Sequence, residues 1–321
     1  MARTRVGVIG VGYLGKFHAR KYAAMADVEL VGVADVNPAH AAEVAQFCNT
    51  EAFADYRELL AQVDAASVVV PTSLHHQVAS EALLAGVDVM LEKPMTVTLD
   101  EADDLNRLAG EGGRILQVGH IERYNPAILA MEEHLATPLF IESHRLHPFK
   151  PRGLDVDVVL DLMIHDIDIV LSLVKSPIAT IHAVGAPVFT KTTDIANARL
   201  IFANGCTANI TVSRISKESM RRLRIFQPSS YISVDYAKKE FMVIRPGAPG
   251  ADGIPAEEVV KACFMHQDAL EMELADFVSH VRNRTRPRVS GEEGRLALSV
   301  AQEIMTQIRA HGERHAQLLH G

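Results

Sequence analysis

Up to His120 the chain alternates between short apolar runs and helix-patterned segments, and few folds accept that rhythm. VGVIG, ELVGVADV, AASVVVP (ending at Pro71), VDVMLEKP and RILQVGH read as strands buried on both faces. Between them, helix patterns run through Met25, from near Pro38, from about His75 to Ala85 and over 98–110. Strands alternating with helices predict a doubly wound parallel sheet. Ligands of such sheets lie beyond the carboxyl ends of the strands. Pro71 to His75, Glu92-Lys93-Pro94 and His120 to Asn125 therefore carry the most weight as site residues.

The first strand runs straight into glycines. Gly10, Gly12 and Gly15 fit GxGxxG: Gly10 permits a tight turn, Gly12 lets backbone approach a pyrophosphate, and Gly15 lets helix and strand pack closely. The helix N-terminus that follows offers unpaired N–H groups to that pyrophosphate. The second strand ends in Asp35, where an acid can accept hydrogen bonds from the adenosine ribose; an ordinary strand-end turn residue is the plainer alternative. Val36 and Asn37 follow it, with no cation to meet a 2′-phosphate, so NAD is expected rather than NADP. Tyr13 and Leu14 in the turn, and Pro71, Thr72, His75 and Glu92 at strand ends, complete the expected cofactor shell. Lys93 ends an apolar strand, where a partly desolvated lysine can donate to a substrate hydroxyl. A surface lysine at a strand end is equally common.

At 321 residues the chain exceeds one ordinary core, and two domains are expected, 1–122 and 123–321. In the second half HAVGAPVFT, IANARLIFA, TANITVSRI, RRLRIFQ, SYISVDY and EFMVIR read as successive strands, and helices close the chain over 268–282 and 292–311. The net charge of −8 argues against a nucleic-acid binder. Cys48, Cys206 and Cys263 are sparse and form no CxxC pair, which fits a reducing compartment. With a strand starting almost at once and no long apolar span, a cytoplasmic protein away from membranes is expected.

Val156 to Val170, VDVVLDLMIHDIDIV, is apolar nearly all round yet contains four acids and a histidine. On an α-helix Asp157, Asp161, His165 and Asp168 fall within about 80° of one another, with Asp166 on another face. Such a helix should be largely buried, and buried carboxylates need partners or a function. A dipole-favoured acidic first turn explains Asp155 and Asp157 but explains Asp161 and His165 poorly.

Gly10-x-Gly12-x-x-Gly15, Asp35, Pro71-x-x-x-His75, Glu92-Lys93-Pro94 and Asp161-x-x-x-His165 follow one another in a familiar order. Together they resemble the glucose–fructose oxidoreductase/inositol dehydrogenase (Gfo/Idh/MocA) family over essentially the whole chain. The resemblance implies a Rossmann domain followed by an α/β domain with an open, mainly antiparallel sheet. It also implies that Lys93 and His165 are catalytic and that Asp161 contacts or orients a sugar hydroxyl. Where the family often has Gly-Gly, this chain has Val156-Asp157, so Asp157 is expected to help select the substrate. DVDVVLDLMIHDIDI, with GHIERYNP upstream, is similar to the branch that oxidises the 3-hydroxyl of UDP-N-acetylglucosamine. The resemblance then implies a nucleotide-sugar substrate and a partner aminotransferase that completes a 3-amino sugar for lipid A. A cousin branch acts on the corresponding uronic acid, and free inositol or sugar dehydrogenases are the next alternative. A non-catalytic dinucleotide sensor is disfavoured because both Lys93 and His165 are present.

A diphosphate needs cations. HRLHPFKPRG offers Arg145, Lys150 and Arg152, and SRISKESMRRLRIF offers Arg214, Lys217, Arg221, Arg222 and Arg224; solvated or edge-protecting charge is the alternative for each run. Arg123, Tyr124 and Asn125 at the domain junction are further substrate candidates, Tyr124 equally a packing residue. The Asp161/His165 spacing resembles a helical metal pair, but a neighbouring Lys93 would repel a cation, and no metal is expected. His165 is assigned as the base and Lys93 as the group that stabilises the developing alkoxide. An open sheet leaves a face to be covered, so a homo-oligomer, dimer or tetramer, is expected.

Overall fold

The computed structural model describes residues 2–149, 156–250 and 252–320, with side chains to Arg314. The chain forms two compact units, one of Met1–Ile121 with Asp268–Leu298, the other of Glu122–Gln267 with Ser299–Gly321.

The first unit begins β1 (Thr4–Ile9), α1 (Gly15–Ala24), β2 (Val28–Ala34), α2 (Pro38–Cys48), β3 (Glu51–Phe53) and α3 (Tyr56–Leu60). It continues with β4 (Ala65–Val68), α4 (His75–Leu84), β5 (Asp88–Glu92), α5 (Leu99–Gly112) and β6 (Leu116–Gly119). The strand order is β3-β2-β1-β4-β5-β6 and every pairing is parallel, as the alternation requires. The order reverses between β1 and β4, which puts the glycine turn at the switch point. Helix starts follow local chemistry: Asn37 caps α2 with Pro38 next to it, and Thr98 and Glu101 form a capping box on α5. β3 and α3 were not foreseen. They are too short to show a period, and α3 is set by Asp55, whose carboxylate accepts from Arg57 N at 2.9 Å.

In the second unit α6 (Pro126–Met131) leads to β7 (Phe140–Leu146) and α7 (Ile164–Val174). β8 (Ile178–Ala186), β9 (Ile195–Phe202), β10 (Thr207–Ser213), β11 (Met220–Gln227), β12 (Ser230–Asp235), β13 (Glu240–Pro249) and β14 (Pro255–Cys263) follow. They form one sheet, β14-β13-β12-β11-β7-β10-β9-β8, in which only the β7/β10 pair is parallel. Ile141, Ile225, Ile232 and Val243 lie side by side in register and are buried, while their neighbours Glu142, Arg224, Ser233 and Met242 line the more open face. β7 was hidden inside what reads as a basic loop, and β14, exposed along nearly its whole length, shows no alternation to detect. The strand expected to end at PVFT stops at Ala186.

α8 (Ala269–Asn283) and α9 (Gly291–His320) close the chain. A single boundary near 122 would place both in the second domain. Instead Leu274, Phe277, Val278 and Val281 of α8 complete the apolar cluster of Val6, Val8, Tyr22 and Val33, so residues 268–298 belong with the parallel sheet. Arg284 reinforces this through the buried carboxylate of Asp88. Truncating Phe277 tests the assignment: Phe277→Ala should lower the unfolding free energy by about 3–5 kcal/mol in urea denaturation. A loss under about 1 kcal/mol would mean that α8 is not part of that core.

Candidate active site

The glycine turn is shaped by close contacts. Gly10 has φ +84°, and a Cβ there would stand 2.6 Å from Val69 O; a Cβ on Gly15 would stand 1.8 Å from Gly10 O. Around Gly12, by contrast, nothing lies within 4 Å of where a Cβ would be, so the backbone there is open to an approaching group. Asp35 ties the turn to β2, its Oδ2 accepting from Val11 N and its Oδ1 from Asn37 N, both at 2.8 Å. Each oxygen keeps a lone pair for a hydroxyl donor. Val36 next to it is almost wholly exposed and no cation adjoins it in sequence. Tyr13 and Leu14 are exposed on the turn, and Pro71 and Thr72 are accessible after β4. An open glycine, a helix N-terminus and a strand-end carboxylate fit a dinucleotide with free ribose hydroxyls.

His75 has a different place. It is buried, with Nδ1 2.9 Å from Pro94 O and Nε2 2.9 Å from Val70 O. Burial lowers its pKa, and the two carbonyl contacts oppose that shift. It therefore braces the Glu92-Lys93-Pro94 turn, the strand end at which a cofactor contact is expected from sequence. Glu92 and Lys93 stand at the end of β5, both partly accessible.

The acidic segment of the second unit divides its charges between two tasks. Val159–Met163 is a π-helical turn and α7 proper starts at Ile164. A uniform stripe from 157 to 168 therefore does not exist, because the wider turn changes the angular phase before His165. Asp157 Oδ1 accepts from Val159 N at 2.9 Å, and Asp157 O accepts from Asp161 N at 3.0 Å. Asp157, Asp161 and His165 are partly accessible; Asp166 and Asp168 are buried. Asp166 accepts from Arg145 Nε at 2.7 Å and from Ser143 Oγ at 2.7 Å, and Arg145 also donates to Glu122 at 2.8 Å. Arg145 is 4% exposed; burial alone would lower its pKa, but Asp166 and Glu122 hold it above the ordinary value. Asp168 pairs with Arg123 at 3.2 Å. Asn125 donates to Glu122 Oε2 and to Tyr236 O, both at 3.2 Å.

These contacts correct several expectations. Arg123, Tyr124 and Asn125 are buried and brace this unit; none presents itself as an open substrate group. Arg145, read as a phosphate cation, is the centre of the buried network. Arg214 is also buried: its Nη2 donates to Val156 O at 2.6 Å and its Nε lies 4.0 Å from Asp194, so it fixes the chain entering the acidic segment. Arg222 and Arg224 pair across strands with Asp235 and Glu142. Lys150 and Arg152 lie outside the described residues. Among the described residues no group of three or more His, Cys, Asp or Glu is placed to hold a metal ion, and no helix is long and apolar enough to cross a membrane. His18 and Ser67 stand outside the motifs legible in the sequence, and Glu122 lies within the His120 to Asn125 stretch without a role assigned to it. A buried polar residue inside an apolar pattern is the only signal any of them leaves.

The parallel sheet, glycine turn and Asp35 define an NAD-binding oxidoreductase of Rossmann type. Family descriptions agree: "oxidoreductase family, NAD-binding Rossmann fold" matches residues 4–120 and "GFO/IDH/MocA C-terminal domain" matches 133–227. The chain belongs to the Gfo/Idh/MocA oxidoreductase family and is an NAD-dependent dehydrogenase. It is 41% identical to the UDP-N-acetylglucosamine 3-dehydrogenase of Acidithiobacillus ferrooxidans over 98% of this chain and 100% of that protein. A solved structure of that enzyme superposes with a TM-score of 0.90 at 40% identity, covering 97% of this chain and 99% of the other. The myo-inositol 2-dehydrogenase of Thermotoga maritima is 25% identical over 92% of this chain and 93% of its own length. Levoglucosan dehydrogenase, solved with NADH and levoglucosan, shares the fold with a TM-score of 0.86 at 20% identity, covering 96% and 98% of the two chains.

Removing the central cation exposes the cost of the network. Arg145→Ala leaves Asp166 and Glu122 buried without their shared counter-charge and should destabilise the protein by about 3–5 kcal/mol in denaturant titration. An effect below about 1 kcal/mol would show that Arg145 is dispensable to the second unit.

Proposed function

We propose that this protein oxidises the 3-hydroxyl of UDP-N-acetylglucosamine to the 3-keto nucleotide sugar with NAD. The observation that carries the reading is 41% identity, end to end, with an enzyme of that name. Bound at the glycine turn, NAD would supply the hydride acceptor for the carbon being oxidised. His165 takes the hydroxyl proton, a task suited to imidazole because its ordinary pKa lies near neutrality. Lys93 donates a hydrogen bond to the same oxygen and offsets the developing alkoxide charge. Asp161 orients that imidazole or a neighbouring sugar hydroxyl, and Asp157, where the family often has glycine, helps select the sugar. The open backbone at Gly12, in a turn shaped by Gly10 and Gly15, would hold the pyrophosphate, and Asp35 would receive the ribose hydroxyls. The 3-ketone is the carbonyl an aminotransferase needs to make a 3-amino sugar for lipid A, and we assign the protein that place as a cytoplasmic homo-oligomer.

A second reading, oxidation of a free polyol, is favoured by two observations. The relatives include inositol 2-dehydrogenases, and Arg145 and Arg214, candidates for a diphosphate clamp, are committed to internal contacts. NADH formation with UDP-N-acetylglucosamine, its uronic acid and myo-inositol separates the two, with an aminotransferase and glutamate present to pull the oxidation forward. Turnover of the UDP-sugar is expected; activity on inositol alone overturns the first reading. Lys93→Ala and His165→Ala should each lose at least about a hundredfold in kcat while NAD still binds. Turnover near wild type in either variant would sink the mechanism.

A further inference from the structure

Within the first unit a line of polar side chains runs from the end of β5 into the core. Glu92 Oε2 accepts from Lys93 N at 3.1 Å, and Glu92 Oε1 lies 3.2 Å from His18 Nε2. His18 Nδ1 is 3.2 Å from Ser67 Oγ, which is 2.9 Å from Tyr22 Oη. One proton arrangement satisfies every member: Tyr22 donates to Ser67, Ser67 to His18 Nδ1, and His18 Nε2–H to Glu92. His18, Ser67 and Tyr22 are sealed from solvent, so the line is no proton path to bulk water. What it delivers to the strand end is a fixed carboxylate. The fold reserves room for that group, since Gly119 faces Glu92 across β5 and β6 and a Cβ there would stand 3.1 Å from both carboxylate oxygens.

Burial pushes the Glu92 carboxyl toward its neutral form. The hydrogen bond from His18 opposes that most strongly, helped by the charge and the backbone N–H of Lys93, and the net position is below the ordinary value. The titratable groups facing Glu92 in this unit are His18 from α1, His75 from α4 and Lys93 beside it.

We propose that His18 is a positioning residue for the oxidation: by donating to Glu92 it keeps an oriented carboxylate beside Lys93, and so keeps Lys93 an ammonium donor and leaves the base role to His165. This rests on the task given to Lys93 above. Of the substitutions that separate the atoms, His18→Asn retains a polar partner for Ser67 but does not reach Glu92. His18→Gln sets an amide N–H near the place of Nε2 and restores the donation.

The first readout needs neither cofactor nor substrate. The infrared carboxyl band of protonated Glu92, identified by its loss in Glu92→Gln, is followed in the full-length protein as pH falls. A hydrogen bond donated to a carboxylate favours its ionised form. Glu92 in His18→Asn should therefore titrate at least about one pH unit higher than in wild type, and His18→Gln should return it most of the way. The second readout is the kinetic split. In His18→Asn kcat should fall about tenfold near neutral pH, a loss of about 1.4 kcal/mol in barrier terms, with KM and NAD affinity little changed, and the loss should deepen as pH falls through the new Glu92 titration. His18→Ser is the second breaking variant should the first not fold. Identical Glu92 titration in the breaking variant and wild type, or no recovery in His18→Gln, overturns the proposal. If the wild type fails to oxidise any nucleotide sugar, the substrate reading falls while the infrared titration still decides His18.

Discussion

A carboxylate inside an apolar helix must find a counter-charge or cease to be a carboxylate. Asp166 meets that demand through Arg145, which also binds Glu122 and lies over the ring of Tyr236. Asp168 meets it through Arg123. These contacts join the segment after β6, the central strand β7 and the helix α7 into one braced block. The placement of His165 follows from them, because the acids at 166 and 168 grip the second unit while 161 and 165 stay accessible. The buried anchors and the accessible side chains share one segment of chain.

Much of the first unit could be read from the chain because parallel strands buried on both faces leave continuous apolar runs, and Gly10, Gly12, Gly15 and Asp35 occur at fixed offsets. Elements too short to show a period, β3 and α3, could not. The second sheet was partly legible: β9 to β12 alternate cleanly, whereas β14 exposes both faces and β7 carries the same His144 and Arg145 that look like a basic loop. Arginine caused most of the errors at the site. In a sequence, a cation destined for a phosphate and one destined for a buried aspartate look alike, and only packing reveals that Arg123, Arg145 and Arg214 are turned inward. The π turn at Val159–Met163 defeated the angular argument for a similar reason, since an assumed rotation of about 100° per residue holds only for an unbroken α-helix.

The same lesson applies to the histidines. His75 and His18 lie within one apolar unit, yet His75 lies between two carbonyl oxygens while His18 faces a carboxylate. Neighbours, not residue type, decide which imidazole influences the strand-end chemistry and which simply fastens a turn. Gly119 belongs to that account as much as Glu92 does: an absent side chain on one strand leaves room for a carboxylate on the next.

The position of α8 bears on the order in which the protein is made. The strands of the parallel sheet precede those of the other sheet in the chain, yet Leu274, Phe277, Val278 and Val281 of its core follow every strand of that other sheet. The nascent amino-terminal unit must therefore wait with part of its apolar surface uncovered, while the second sheet already has all its strands. In biosynthesis the parallel-sheet unit thus stays open until α8 has emerged, and Ser299–Gly321 then completes the other unit.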